Sequence, residues 1–144
     1  YLPPTRTRLE GLGAQLITVE AISPQDSDVG QHAAHLAQNC ELVIIAGQTS
    51  IMDEDDATLQ SLRQAGAAHT LSGAPVEPGN LLALAYFPDT PVLCAPGCAR
   101  GLKRNVVDLV LPRLLLGDRL DRKDIAELGL GGFLTAAERS GSTE

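Results

Sequence analysis

Glu41-Leu42-Val43-Ile44-Ile45-Ala46-Gly47-Gln48-Thr49-Ser50 is the stretch that decides the fold. Leu42 to Ala46 is an unbroken apolar run with β-branched members, the pattern of a strand buried on both faces of a parallel sheet. It stops at Gly47, and small polar residues follow. Asp53, Glu54, Asp55 and Asp56 come next, and then a helical pattern over about 54–65 with Leu59 and Leu62 inward and Gly66 at its end. In open α/β sheets a ligand binds at this carboxyl end of a strand, so a working site is expected here.

Upstream, Leu16 to Ile22 (Leu-Ile-Thr-Val-Glu-Ala-Ile) reads as a β-branched strand closed by Ser23-Pro24. Between the two runs lies a helix capped by Asp26, Ser27 or Asp28. Its apolar face carries Val29, Ala33, Leu36, Ala37 and Cys40. Strand, helix, strand predicts a parallel pair joined by a right-handed crossover. Pro3 and Pro4 lack backbone N–H groups, so a first helix is expected only from Thr5 to Leu12.

Downstream, Ala67 to Leu71 is a short strand candidate. Leu81 to Phe87 and Pro91 to Ala95 flank Pro88-Asp89-Thr90, a hairpin pattern. A helix over about 102–116 is apolar on most of its circumference, so it is expected to be buried or to make an oligomer contact. Asp121 is a cap for a short helix, and 140–144 should fray. The predicted class is α/β: a three-layer sandwich, a mostly parallel sheet between helices, with a C-terminal hairpin strand pair. One domain spans 1–144, with its core over about 5–120 and an extension over 121–144.

A net charge of −7 disfavours a nucleic-acid surface, which needs phosphate-neutralising Lys and Arg. Two Phe, two Tyr and no Trp leave no base-stacking platform. No run approaches the ~18 apolar residues of a membrane span. No secretory leader is visible, although an opening Tyr1 points to a trimmed or internal segment. Cys40, Cys94 and Cys98 lack metal-ligand spacing and read as reduced thiols of a cytoplasmic protein, with a Cys94–Cys98 pair as the alternative.

Three loops follow or precede strands: 47–56, Pro78-Gly79-Asn80 and Pro96-Gly97-Cys98-Ala99. Gly79 and Gly97, without a Cβ, let backbone N–H groups approach a phosphate or fused ring. Thr49 and Ser50 add hydroxyl donors at a helix entrance. Asp55 and Asp56 are the candidate Mg²⁺ ligands. Taken singly each loop is more often a plain turn, and the acidic run is equally a dipole-matched helix start. His32 and His35 have the spacing of a metal pair but fall beside the apolar stripe, which favours a solvated flank. His69 has no evident partner. No Gly-x-Ser-x-Gly elbow, Walker loop or Gly-x-Gly-x-x-Gly is present.

In order and spacing these loops resemble the molybdopterin-binding (MoaB/Mog-like) domain of molybdenum-cofactor biosynthesis proteins. The family's Gly-Gly-x-Ser, with an Asp five residues on, is met by Gly47-Gln48-Thr49-Ser50 and Asp55. Its Pro-Gly-Lys-Pro is met by Pro78-Gly79-Asn80-Leu81, and its Leu-Pro-Gly-Asn-Pro by Ala95-Pro96-Gly97-Cys98-Ala99. The resemblance covers about residues 5–120. It implies a bacterial, cytoplasmic protein that binds the pterin dithiolene phosphate through Gly47, Thr49, Ser50, Pro78, Gly79, Asn80, Pro96, Gly97 and Cys98. It also implies a dimer or trimer, with a nucleotidyltransferase as partner or fused domain. Asp55 is then the carboxylate at the reacting phosphate, and Mg²⁺-assisted nucleotidyl or molybdate transfer is the chemistry if the chain is an enzyme. Gln48, Asn80, Cys98 and Ala99 each depart from the family's pattern and remove a ligand-facing group, which favours binding over catalysis. The family opens with a strand before its first helix, and no residues for it stand ahead of Thr5. Two alternatives remain. One is a competence-damage-type nucleotide pyrophosphatase or deamidase relative, faintly echoed in Asp55-Asp56-Ala57-Thr58. The other is a non-catalytic regulatory or oligomerisation module.

Overall fold

The computed structural model describes residues 2–22, 28–46, 57–72, 82–95 and 105–127. Helix α1 (Leu2–Gly11) opens the chain and α2 (Val29–Ala37) follows. Next come β1 (Val43–Ile45), α3 (Ala57–Gln64), β2 (Ala68–Ser72), β3 (Ala83–Phe87) and β4 (Thr90–Cys94). Helices α4 (Val106–Leu115) and α5 (Arg122–Glu127) complete the order. The four strands form one sheet in the order β1-β4-β3-β2.

The protein is α/β, but the expectation of a mostly parallel sheet is corrected. Among the described residues only β1 and β4 run parallel, whereas β3 pairs antiparallel with both β4 and β2. The tight Pro88-Asp89 turn imposes the first antiparallel pairing, with Phe87 opposite Thr90. The hairpin pattern and the short strand after Gly66 are therefore present.

The strand expected over Leu16–Ile22 is absent, and with it the expected crossover pair. Those residues join no ladder, and Ile17 and Val19 are 69% and 57% exposed. Propensity makes a segment compatible with a pleated surface but does not supply a partner. Among the described residues β1 is therefore an edge strand: Val43 is buried, while Ile44 and Ile45 are only half-buried.

Helix α1 begins earlier than expected, with Pro3 and Pro4 in its first turn. N–H groups in the first turn have no intrahelical acceptor, so prolines there forfeit nothing. It ends at Gly13 (φ 79°), where Ala14 N–H returns to the Leu9 carbonyl. Gly66 (φ 107°) ends α3 in the same way, with Ala67 N–H returning to Leu62. Among the described residues, Asn105 caps α4: its side chain accepts from Val107 N–H at 2.9 Å, while Asp108 Oδ2 accepts from Asn105 N–H at 2.9 Å. Asn105 and Asp108 stand at the spacing of a capping box, a signal legible in the sequence but missed there. Arg8 Nε donates to Asp108 Oδ1 at 3.0 Å, tying α1 to that cap.

Alternating side chains along β3 and β4 feed two cores. Leu84 and Leu93 pack with Leu9, Val106, Val110, Leu111, Leu114, Leu120 and Ile125. Ala83, Ala85, Val92 and Cys94 pack with Ala33, Ala37, Val43, Leu59 and Leu62. The apolar circumference of α4 is thus spent on the chain's own core. Its buried residues are Val106, Val107, Val110, Leu111 and Leu114, and Leu116 beyond its end is exposed. The buried side of α2 is Gly30, Ala33 and Ala37, with Leu36 partly buried against the same core; the predicted face held the last three and missed Gly30, whose N–H donates to Ser61 Oγ at 2.8 Å. Among the described residues, no helix is long and apolar enough to cross a membrane.

Candidate functional site at one end of the sheet

The strand registers place the roots of the three candidate loops. Ile45 stands opposite Cys94 in the parallel pair, Cys94 opposite Ala83 in the hairpin, and Ala83 opposite Ser72. Ala95 N–H donates to the Ile45 carbonyl at 2.9 Å, extending the β1–β4 ladder one rung further. Residues 47–56 leave from the end of β1 and 96–104 from the end of β4. Residues 73–81 join the end of β2 to the start of β3. All of these roots lie at the same end of the sheet. With strands ~4.8 Å apart, the row from Ile45 to Ser72 is roughly 14 Å wide. Each loop is long enough to cross that row, since an extended residue spans ~3.3 Å.

The candidate side chains themselves, Gly47, Thr49, Ser50, Asp55, Asp56, Pro78, Gly79, Asn80, Pro96, Gly97 and Cys98, lie outside the described residues. So does Gln48. The ends of the strands that carry them are small or apolar: Ala46, Ala83, Cys94 and Ala95. Cys94 is buried in the second core. Cys40 is a half-buried free thiol, and Cys98 lies outside the described residues.

Among the described residues no group of three His, Cys, Asp or Glu side chains is placed to hold a metal ion. His32 Nδ1 lies 3.4 Å from Glu20 Oε1 and His35 is exposed.

The described residues also form a hollow at the opposite end of the sheet, lined by Gly66, Ala68, His69, Phe87, Pro88, Asp89 and Arg119. Sequence reading noted His69 without a partner and gave Arg119 no role. Their meeting depends on α4 running back along the sheet and delivering 118–120 to the β3–β4 turn, which no local spacing encodes. Compared with models of known protein families, with curated proteins and with solved structures, the chain matches none.

Proposed function

We propose that this chain is a molybdopterin-binding domain of the MoaB/Mog-like kind, serving molybdenum-cofactor synthesis or delivery in the bacterial cytoplasm. The observation that carries the reading is the single row formed by Ile45, Cys94, Ala83 and Ser72. It brings the roots of all three motif-bearing loops to the carboxyl end of the parallel pair, where open α/β sheets bind ligands. Thr49 and Ser50 would donate hydroxyls to the pterin phosphate. Gly47, Gly79 and Gly97 would let backbone N–H groups close on it, with Pro78 and Pro96 fixing the turns and Asn80 and Cys98 at their edges. Asp55, with Asp56, would hold Mg²⁺, which neutralises charge developing on a phosphate during nucleotidyl or molybdate transfer. The finer architecture that accompanies this reading is a three-layer α/β/α sandwich assembled as a homo-oligomer beside a nucleotidyltransferase.

Titration of the purified protein with molybdopterin, followed by calorimetry, tests the reading. Saturable binding that weakens about tenfold or more in both Ser50→Ala and Asp55→Ala supports it, the loss expected when a charge-assisted phosphate contact is removed. Absence of binding, or equal affinity in both variants, removes the pterin site.

A further inference from the structure

Among the described residues the sheet ends on two edge strands, β1 and β2, and the two are finished differently. On β2, Ala68 pairs with Tyr86 and Leu71 with Leu84, so His69 and Thr70 together oppose the single residue Ala85. His69 takes φ 55° in this bulge, and Arg63 Nε donates to Thr70 Oγ1 beside it at 3.0 Å. Bulges and charged side chains are the usual devices that stop an edge from pairing further. Neither is present on β1. Leu42-Val43-Ile44-Ile45-Ala46 is uncharged and free of proline, and its strand keeps an unbroken register against β4.

That register fixes what the bare edge offers. Ala95 N–H donates to the Ile45 carbonyl, so Val43 and Ile45 turn their backbone groups toward β4. Backbone groups alternate sides along a strand, and those of Leu42 and Ala46, with Ile44 between them, point away from the sheet. They meet no partner among the described residues. Burial beside this edge is incomplete on both faces. Leu16 and Ile44 pack against the first core, Leu36 and Ile45 against the second, and all four stay partly buried. Unpaired backbone groups between two half-covered apolar faces are what a central strand presents before its neighbour is added.

Charge surrounds the apolar middle. Glu41 is exposed where the edge begins. Thr90 Oγ1 donates to the Ala37 carbonyl at 3.3 Å, which sets the C-terminal end of α2 at the start of β4, and β1 runs parallel to β4. His32, more than a turn back along α2, and Glu20, 3.4 Å from it, therefore lie toward the other end of the edge. We propose that the β1 edge takes up an extended segment of a partner protein as an added strand, apolar on both faces over about five residues and basic at both ends. Its backbone would pair with Leu42, Ile44 and Ala46, its side chains would cover Ile44 on one face and Ile45 on the other, and its basic ends would meet Glu41 and Glu20. A second copy of this chain is the poorer occupant: it brings the same acidic ends, a net charge of −7 and an α2 layer of its own. The proposal uses the side of β1 rather than the loop that leaves its end, so it does not rest on the pterin reading.

The probe is the peptide acetyl-Lys-Lys-Val-Ile-Val-Ile-Val-Lys-Lys-amide, titrated into the whole chain and followed by NMR and amide hydrogen exchange. The expected result is saturable binding with a Kd of about 100 μM, shifts centred on Leu42, Ile44 and Ala46, and exchange at the Ile44 amide slowed at least about tenfold. The same peptide with proline at its central position keeps the charge and loses a ladder donor, so it should bind at least about tenfold more weakly. Ile44→Pro removes the outward donor while sparing the N–H groups that β4 uses, and should weaken the first peptide to the same degree. Where that variant fails to fold, the proline peptide on the unaltered chain carries the same test. No saturable binding, equal affinity for the proline peptide, protection confined to residues outside 42–46, or a free chain already dimeric with its Ile44 amide protected would overturn the proposal.

Discussion

At φ 55° the His69 backbone lies in the left-handed region that a side chain makes costly, and no bond of its own among the described residues offsets that. His69→Gly therefore raises stability by about 1 kcal/mol. For a chain of this size that is a rise of roughly 3 °C in Tm, read from a thermal melt. Tyr86 makes the opposite kind of demand. Burial pushes its hydroxyl pKa up, and the Leu120 backbone bond and the Arg119 charge only partly offset this. The unfolded phenol ionises near its ordinary value of about 10, whereas the folded one holds its proton to higher pH. The stability tied to neutral Tyr86 is thus fully present below about pH 10 and is lost as pH rises through the folded value. Urea midpoints should fall steeply across that range, and Tyr86→Phe should flatten the fall even as it loses the Leu120 bond.

Among the elements, α2 and α3 approach as closely as a missing side chain permits. A Cβ on Gly30 would stand 2.1 Å from the Ser61 carbonyl oxygen, a backbone atom that cannot swing away. Gly30→Ala gains some intrinsic helix propensity, but the forced separation outweighs it, for a net loss of about 2 kcal/mol measurable in urea. Helix α4 depends on its first residues in a different way. Asn105 is fully buried and accepts from Val107 N–H, so Asn105→Ala leaves a buried donor unmet. The expected cost is about 1–2 kcal/mol by the same measurement. Asn105→Asp, which keeps the acceptor, should recover part of it.

Across the whole molecule, the two cores lie on opposite faces of the shared β3–β4 hairpin, and residues 14–22 pass from one core to the other. Leu16 packs against the first, and Glu20 meets His32 of α2. Between them Ile17 and Val19 face outward. Replacing both with Ser should change stability by less than about 0.5 kcal/mol per site, because more than half of each residue is already exposed. A larger loss in the urea melt would mean that those side chains are covered in solution.

The α2, β1, α3, β2 and hairpin elements were legible because each is a local pattern: a helical stripe, an apolar run, a left-handed Gly66, a Pro-Asp turn between two apolar strands. Leu16–Ile22 misled because its alternating, β-branched composition satisfies the same local test without a ladder to join. The predicted face of α2 held Ala33, Leu36 and Ala37 but missed Gly30, because a glycine contributes no hydrophobicity to a stripe. Its importance is in what it lets α3 do. The candidate loops were legible as turns with phosphate-compatible residues, and their roots share one sheet end only because the β4 register aligns Cys94 with both Ile45 and Ala83.

Local order by itself determined the α/β class, the helix stops at glycine and the hairpin, since each depends on neighbours a few residues apart. Only the tertiary structure decided the parallel-to-antiparallel balance of the sheet, the edge position of β1 and the meeting of His69 with Arg119. Those follow from pairings across tens of residues, where the free energy lies in which backbone groups find partners rather than in what any segment prefers alone.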